Sequence, residues 1–307
     1  MLFAVNTLHV NLSIPVTAKF RVFPTVEKTV EYARMLERAG AQIITCHGRI
    51  REQRGQNTVR PFNTITRGLN RLLFFQGLAD WDKIRAVKQA VSVPVFANGN
   101  ILYQSDIDAC LKATGADGVM SAEGQLYNPA LFAGIDHPLT SPEYDSDAQI
   151  LVRHPRHADL ALEYLDVVRD LKTTTSVSGI KGHLFKIMRP GLGREVDLRE
   201  KLGKVKINPR GVKEGLQAYV DVCLEMKERM DVCSISLLFA PLPLIYTFLL
   251  PFQRDAKAVE GTPLKDLITT EPITGIKVMS HWLAQPYFRP SPEQKKAYGK
   301  WWTSLFD

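Results

Sequence analysis

The sequence predicts an α/β fold over its first 135 residues, followed by an all-α region. Four strand-like runs of near-continuous apolar character alternate with helical patterns in the first part, which is typical of a parallel sheet covered by helices. From about residue 148 the apolar residues recur at helical spacing, and we expect helices without strands there. The 307 residues are 45% hydrophobic, so the chain can build a sizeable core.

The helix between the first two predicted strands has local start and stop signals. Thr25 is placed to cap a helix whose apolar face is formed by Val26, Val30, Ala33 and Leu36, and Gly40 is placed to end it. We expect the strands near 14–20, 42–47, 94–98 and 118–121.

The next two helices have similar signals. Asp80 can cap the helix whose inner face is Ile84, Val87 and Val91. Ser105, with Asp108 three residues later, suggests a capping box for the following helix, which Gly115 would end.

Polar residues at the predicted strand ends distinguish a barrel from a doubly wound sheet. A (β/α)8 barrel gathers its active site from the carboxyl ends of its strands. Polar pairs occupy these ends after all four strands: Lys19 and Arg21, His47 and Arg49, Asn98 and Asn100, Ser121 and Glu123. The pattern favours a barrel, of which only four strands are present.

The segment ANGNI at 97–101 could bind a phosphate, because it offers backbone N–H groups and small residues at a strand end. Asn-Gly is also an ordinary turn, and a lone histidine such as His47 is often a core residue. Lys19 follows an apolar stretch, where burying an ammonium group is costly. Together, Lys19, His47 and Asn98 favour an anionic cofactor.

The helical part of the chain is rich in basic residues. Between residues 181 and 213 there are ten Lys or Arg and three Asp or Glu, and the whole chain has a net charge of +7. A solvated helical surface and a contact surface for phosphate backbones both explain this.

Several segments, in their order and spacing, resemble the C-terminal half-barrel of the tRNA-dihydrouridine synthases. They are PVTAKFR, ITCHGRIREQRGQ, GLADWDKIRAVKQAVSVPVFANGNI and TGADGVMSAEGQLYNPALF. SAEG, IKGHLFKIMRP, LREKL and HWLAQPYFRP resemble the eukaryotic branch that acts on positions 16 and 17. The resemblance implies an FMN-dependent TIM barrel with a helical tRNA-binding domain, which reduces uridine with FMN and uses NADPH as reductant.

The resemblance also implies roles for individual residues. Lys19 and His47 would contact FMN, and Asn98, Gly99, Asn100, Ala122 and Glu123 would hold its phosphate. The residues that would face tRNA are Arg49, Arg51, Lys181, Lys186 and Arg189. No metal site is expected.

The resemblance starts in the middle of the family's barrel, so we expect an N-terminally truncated chain. The family's first four strands are missing, as is its Asn-x-Gly-Cys-Pro loop, whose cysteine protonates the base. The cysteines at 46, 110, 223 and 233 lie in predicted strands, helices or an apolar block, and none can replace it. We therefore expect no catalytic residue and no activity in this chain alone.

Two blocks interrupt the resemblance, at 59–76 and 232–253. Each begins with Val and ends with Phe-Gln, and codons for the residues before that end are rich in pyrimidines. These features indicate introns translated in frame. The second block is also apolar and long enough to span a membrane, although three prolines interrupt it.

The expected domains are a partial FMN-binding barrel at 1–135, a helical tRNA-binding domain at 148–231, the apolar insert at 232–253 and a tail at 254–307. The unpaired cysteine spacing and the lack of a signal-peptide pattern favour the cytoplasm, with the nucleus as a second compartment. Three alternatives remain open: a non-catalytic RNA-binding fragment, a membrane-tethered protein that uses 232–253, and an FMN barrel oxidoreductase acting on a small substrate.

Overall fold

The computed structural model describes residues 2–53, 78–135, 141, 143–209, 211–232, 261–270 and 277–287. The insert at 59–76, nearly all of the insert at 232–253 and the end of the tail lie outside the described residues. The chain divides into two compact units, with the division between Ala122 and Glu123.

The first unit is a four-stranded parallel sheet with helices. Its strands are β1 (Thr17–Arg21), β2 (Ile43–His47), β3 (Val95–Asn98) and β4 (Gly118–Met120), in the order β1-β2-β3-β4. This confirms the prediction of four adjacent parallel strands. Its helices are α1 (Leu2–Asn11), α2 (Val26–Arg38), α3 (Trp81–Ala90) and α4 (Gln104–Thr114), with a 3-10 turn at Arg51–Gln53.

Helices α2, α3 and α4 pack side by side, and the core lies between them and the sheet. Each central strand buries apolar side chains, including Ile44, Val95 and Ala97, and the helices contribute Leu36, Ala33, Ile84 and Val87. A continuous apolar strand is stable here because burial of its side chains offsets the cost of ordering the chain.

The predicted cap of α2 is confirmed, but its predicted apolar face is wrong at one position. The Thr25 hydroxyl accepts from the Lys28 N–H at 3.3 Å, and Gly40 follows the helix with φ of 98°. Val26 is 40% exposed, and Thr29 is buried instead. The Thr29 hydroxyl donates to the Thr25 carbonyl at 2.7 Å and accepts from the Phe23 N–H at 3.0 Å, which allows a polar residue in the core.

Of the caps predicted for the next two helices, that of α3 is confirmed and that of α4 is wrong. Asp80 caps α3 by accepting from the Lys83 N–H at 3.1 Å, as expected. The predicted capping box of Ser105 and Asp108 is wrong. Helix α4 begins at Gln104, so Asp106 occupies the third helical position, and its carboxylate accepts from the N–H groups of Leu102 and Tyr103, each at 3.0 Å. Gly115 ends this helix in the left-handed conformation, as predicted.

The second unit is mostly helical. Its helices are α5 (Glu123–Tyr127), α6 (Asp147–Arg153), α7 (His157–Asp170), α8 (Val177–Ile187), α9 (Arg189–Arg194), α10 (Val196–Lys204), α11 (Val212–Gly215) and α12 (Gln217–Val232). Helix α7 packs against α8 and α12 over a core that includes Leu165, Leu184, Tyr219 and Met226. Two 3-10 turns complete it, at Pro129–Phe132 and Leu264–Leu267.

The expectation of helices without strands is wrong near the C-terminus. Strands β5 (Thr269–Thr270) and β6 (Lys277–Val278) form a short antiparallel pair, and Arg156 forms an isolated bridge with Leu283. Two backbone bonds tie this last segment to the start of α7: the Ala284 N–H donates to the Pro155 carbonyl at 2.8 Å, and the His157 N–H donates to the Trp282 carbonyl at 3.0 Å. Strands of two residues have no period that a sequence pattern could reveal.

In the part of the chain that the structure describes, no helix is both long enough and apolar enough to span a bilayer.

Candidate functional site

The carboxyl ends of β1, β2 and β3 bring polar residues together in the first unit. In the sheet register, Arg21 lies opposite His47, and His47 lies opposite Asn98. Lys19 lies two residues before Arg21 and on the same face of β1, because side chains alternate between the two faces of a strand. Lys19, Arg21, His47, Arg49 and Asn98–Asn100 are called the strand-end cluster below.

Lys19 is exposed on β1. Its side chain lies on the exposed face of β1, whereas the neighbouring Ala18 and Phe20 are buried. Partial desolvation nevertheless lowers the pKa of Lys19, and the positive charge of Arg21 lowers it further. Lys19 therefore contributes a charge at the rim of the cluster without the full cost of a buried ammonium group.

His47 is a neutral histidine among cations. Burial lowers its pKa to about 3, with further lowering by Arg21, Arg49 and Lys19. Arg49 lies 3.4 Å from the His47 Nε2 atom, and a guanidinium group can only donate. Nε2 is therefore the acceptor, and the ring proton of the neutral imidazole is on Nδ1.

The loop after β3 has an unusual backbone. Gly99 has φ of 115° and Asn100 has φ of 63°, so two consecutive residues lie in the positive-φ region that L side chains rarely adopt. The side chains of this loop have partners on both sides: the Asn98 amide donates to the Met120 carbonyl at 2.7 Å, and Arg49 donates to the Asn100 Oδ1 atom. The loop is thus held in one conformation.

The residues at the start of α3 also contribute to the site, in addition to the helix cap that the sequence predicts. Trp81 donates from its indole Nε1 to the Gly99 carbonyl at 3.1 Å, and the Asp80 N–H donates to the Gly48 carbonyl at 2.6 Å. Neither contact could be expected from residue type alone, since Trp81 begins a helix and looks like an ordinary half-buried aromatic residue.

The other residues predicted to bind a cofactor phosphate lie after β4. Ala122 is two residues beyond the end of β4 in the first unit, and the preceding Ser121 donates to the Ile101 carbonyl at 2.9 Å. Glu123 begins α5 and belongs to the second unit.

The residues predicted to face tRNA are divided between the two units. Arg49 is half-buried in the strand-end cluster, while Arg51 is exposed in the 3-10 turn that follows. In the second unit, Lys181 donates to the carbonyls of Gly203 and Val205 at 2.8 and 2.7 Å, at the C-terminal end of α10. A lysine in that place stabilises the end of a helix.

Lys186 and Arg189 also have partners within the second unit. The Lys186 ammonium group donates to the Gly182 carbonyl at 3.3 Å. The Arg189 guanidinium group lies over the Tyr287 ring at 4.4 Å and donates to its hydroxyl at 3.2 Å. Their roles toward RNA remain predictions.

The cysteines of the described residues, Cys46, Cys110 and Cys223, are all buried. Burial raises their pKa values to about 12, 11 and 12. A thiol that is enclosed by core side chains cannot reach a substrate base. Cys233 lies outside the described residues. Among the described residues, no group of three or more His, Cys, Asp or Glu side chains could hold a metal ion.

Comparisons with known proteins agree on one family. The family model described as "Dihydrouridine synthase (Dus)" matches residues 2–221. The chain is 36% identical over 291 residues to the tRNA-dihydrouridine(16/17) synthase [NAD(P)(+)] of Schizosaccharomyces pombe, a match that covers 93% of this chain and 59% of that protein.

Two further relatives have similar names. The identity to the tRNA-dihydrouridine(16/17) synthase [NAD(P)(+)]-like protein of Rattus norvegicus is 36% over 286 residues, covering 93% of this chain and 48% of that protein. The identity to the tRNA-dihydrouridine(16/17) synthase [NAD(P)(+)] of Saccharomyces cerevisiae is 40% over 201 residues, covering 64% and 41%. The chain spans about half the length of the curated relatives that it matches.

Proposed function

The chain belongs to the dihydrouridine synthase family, and on this premise we propose that it acts in the reduction of uridine to dihydrouridine in tRNA. The proposed positions are 16 and 17, and the proposed cofactors are FMN and NADPH. The names of the relatives, which include tRNA, these positions and NAD(P)(+), support the substrate and the reductant.

The observation that carries the proposal is the strand-end cluster. The charges that act on His47 come from Lys19, Arg21 and Arg49, and all of them lower its pKa. Gathering like charges is unfavourable in the free protein, and such sites are candidates for binding the opposite charge. An anionic cofactor that carries a phosphate fits this arrangement.

Further features of the cluster residues support the binding of a flavin phosphate. His47 keeps an N–H on Nδ1 that can donate, and Lys19 offers an exposed ammonium group. The missing side chain of Gly99 lets its loop pack closely against Ala79 and the His47 ring at the end of β3. When FMN is bound, the chemistry that it supplies is hydride donation to the C5–C6 bond of uridine. The roles proposed for Lys19, His47, Asn98, Gly99, Asn100, Ala122 and Glu123 are to bind and orient that cofactor.

We propose further that the four-stranded sheet is the C-terminal half of a TIM barrel and that the second unit binds tRNA. The parallel order of the strands and the position of polar residues at their carboxyl ends support the barrel. The excess of basic residues between 181 and 213 and the exposed Arg51 support a contact with the phosphate backbone of RNA.

Burial of the described cysteines favours a second candidate function. Because Cys46, Cys110 and Cys223 are enclosed in the core, none can serve as the family's general acid. The 307-residue chain would then bind tRNA without reducing it. Binding should weaken as salt concentration rises, since phosphate contacts release counterions.

Flavin binding by the 307-residue chain tests the proposal. We expect quenching of FMN fluorescence on titration with the protein, and we expect the Lys19→Met variant to bind FMN about tenfold more weakly, because it loses one charge-assisted contact. Lys28→Met removes an exposed lysine from α2 and is the matched control. Absence of FMN binding by the unmodified chain would contradict the proposed cofactor site.

Turnover distinguishes the two candidate functions. The same preparation is incubated with FMN, NADPH and unmodified tRNA, and dihydrouridine is measured in the RNA by mass spectrometry. Binding of tRNA without dihydrouridine formation is expected of the RNA-binding chain. Formation of dihydrouridine would show that the general acid is present in these 307 residues.

A further inference from the structure

Residues Ala79, Asp80 and Trp81, called the Ala79–Trp81 bridge below, connect the loops that follow β2 and β3. The Gly48 N–H donates to the Asn98 carbonyl at 3.0 Å, and the Gly48 carbonyl accepts from the Asp80 N–H at 2.6 Å. On the other side, the Trp81 indole donates to the Gly99 carbonyl at 3.1 Å. The bridge is therefore bonded to the loop of His47 and to the loop of Asn98–Asn100.

The bridge also fits tightly against two glycines. A Cβ atom on Gly48 would lie 2.9 Å from the Asp80 nitrogen, and a Cβ atom on Gly99 would lie 2.7 Å from the Ala79 Cβ atom. Both distances are too short for real carbon contacts, so these two positions must be glycine for the bridge to pack here. Close packing on one side and a hydrogen bond on the other fix the Gly99 peptide.

The direction of one peptide group follows from these contacts. The peptide between Gly99 and Asn100 is trans and planar, so its carbonyl and its N–H point in opposite directions. The Gly99 carbonyl points toward Trp81, and the Asn100 N–H therefore points away from Trp81. The Asn100 side chain is held separately, because its Oδ1 atom accepts from Arg49.

We infer that Trp81 is a positioning residue for the anion site: by holding the Gly99 carbonyl, it turns the Asn100 N–H toward the phosphate of the ligand. This inference rests on the proposed binding of FMN. Trp81 acts through the loop, and its indole does not contact the phosphate. A carbonyl released from Trp81 could rotate toward the ligand, where its partial negative charge would oppose binding.

The test removes the indole N–H and leaves the packing in place. In the 307-residue chain, Trp81 is replaced by 3-benzothienylalanine, introduced by amber suppression, which has sulfur in place of the N–H group and nearly the same shape. Trp81→Phe is a second variant, and Asp82→Asn, an exposed neighbour on α3, is the matched control. Dissociation constants for FMN and for riboflavin, which lacks the phosphate, are measured by flavin fluorescence.

We expect the benzothienyl variant to bind FMN roughly five- to tenfold more weakly, as the loss of one neutral hydrogen bond implies, and to bind riboflavin unchanged. If Trp81→Phe fails to fold, the benzothienyl variant still gives the answer, because its packing is conserved.

The other outcomes overturn one proposal or the other. If the unmodified chain binds FMN and the benzothienyl variant binds it equally well, Trp81 only packs and the positioning role is wrong. Equal weakening for FMN and riboflavin would also overturn it, because the effect would not concern the phosphate. If the unmodified chain binds neither flavin, the proposed cofactor site itself fails, and the positioning role fails with it.

Discussion

The two units of the molecule differ in the groups that surround their positively charged side chains. In the first unit, Lys19, Arg21 and Arg49 gather around a neutral histidine, and their charges lower its pKa. In the second unit, Arg229 reaches three carboxylates: Glu195 at 2.9 Å, Asp197 at 2.6 Å and Glu225 at 2.6 Å. The second arrangement pairs a cation with carboxylates and holds helices together. The first gathers like charges at strand ends, an arrangement that an anion would stabilise.

This difference in surroundings indicates that the strand-end cluster serves ligand binding and that the ion pairs of Arg229 serve stability. Changes in the strand-end cluster should alter affinity for an anion more than folding. Changes among the buried and ion-paired groups of the second unit should alter folding and leave that affinity unchanged. The acid experiment below measures unfolding, and the substitutions at Gly99, Gly115 and Arg229 are followed by both unfolding and FMN affinity.

Acid should have the largest effect, through the second unit. Burial lowers the pKa values of His154 and His157 to about 4 and about 3, and unfolding would return them to about 6.5. Below pH 6.5 these histidines are protonated in the unfolded chain but stay neutral in the folded chain. The free energy of unfolding therefore falls as the pH drops from 6.5 toward the folded-state pKa values of about 4 and about 3. We expect a loss of about 2 kcal/mol per histidine by pH 5.

The surroundings of these histidines support the direction of the effect. Burial and the charges of Arg153 and Lys277 act against protonation of His154, and together they outweigh the bond between His154 Nδ1 and the Ala284 carbonyl at 2.9 Å, which favours it. His157 is fully buried, with His281 opposing its protonation and Asp159 favouring it. Urea denaturation at pH 7.5, 6 and 5 measures the loss. His157→Gln should flatten the pH dependence, while the exposed His9→Gln should not, and equal slopes in both variants would contradict the prediction.

A methyl group at Gly99 should have the next largest effect, and here on affinity. Gly99 has φ of 115°, and a Cβ atom would lie 2.7 Å from Ala79 and 3.1 Å from the His47 ring. Gly99→Ala should move the loop and weaken FMN binding about 100-fold, with a loss of stability of about 2 kcal/mol.

Gly115→Ala is the matched control, because Gly115 also has positive φ, of 66°, but nothing lies within 4 Å of its added Cβ. It should cost about 1 kcal/mol of stability through backbone strain alone and leave FMN affinity unchanged. Both quantities are read from urea denaturation and flavin titration. Similar FMN affinities in the two variants would show that the Gly99 loop does not form the anion site.

The parts of the fold that could be predicted from sequence are those governed by local chemistry. Thr25, Asp80 and Gly115 cap or end helices through bonds to residues a few positions away, and the four strands are recognisable because parallel strands are apolar on both faces. The capping box lies two residues before the predicted one at Ser105, because the carboxylate of Asp106 accepts from the Leu102 and Tyr103 N–H groups in a helix that begins at Gln104. Local patterns cannot choose between two such closely spaced registers.

The candidate site shows the same limit. Lys19, His47 and Asn98 could be placed together because parallel strands bring their carboxyl ends to one edge. Trp81 could not, because its bond to the Gly99 carbonyl joins residues 18 positions apart and depends on how two loops pack. The sequence also does not show how exposed Lys19 is, since this depends on the place of β1 at the edge of the sheet rather than on neighbouring residues.

The smallest predicted effect concerns the ion-paired network of the second unit. Arg229 on α12 donates to Glu195 and Asp197 at the start of α10, and Glu225 is also bonded to Lys201 at 2.5 Å. These groups remain partly exposed to solvent, so Arg229→Gln should cost only about 1 kcal/mol, near the upper end for surface pairs because several charges cooperate. The control Arg169→Gln removes a single exposed pair with Asp166 and should cost a few tenths of a kcal/mol. Urea denaturation in 0.1 M and 1 M NaCl separates the two variants, since salt should reduce the larger loss of stability toward the smaller one.

The FMN affinity should be unchanged in both variants. A loss of FMN affinity in Arg229→Gln would show that charges in the second unit also serve the ligand, and the contrast between the two units would no longer hold.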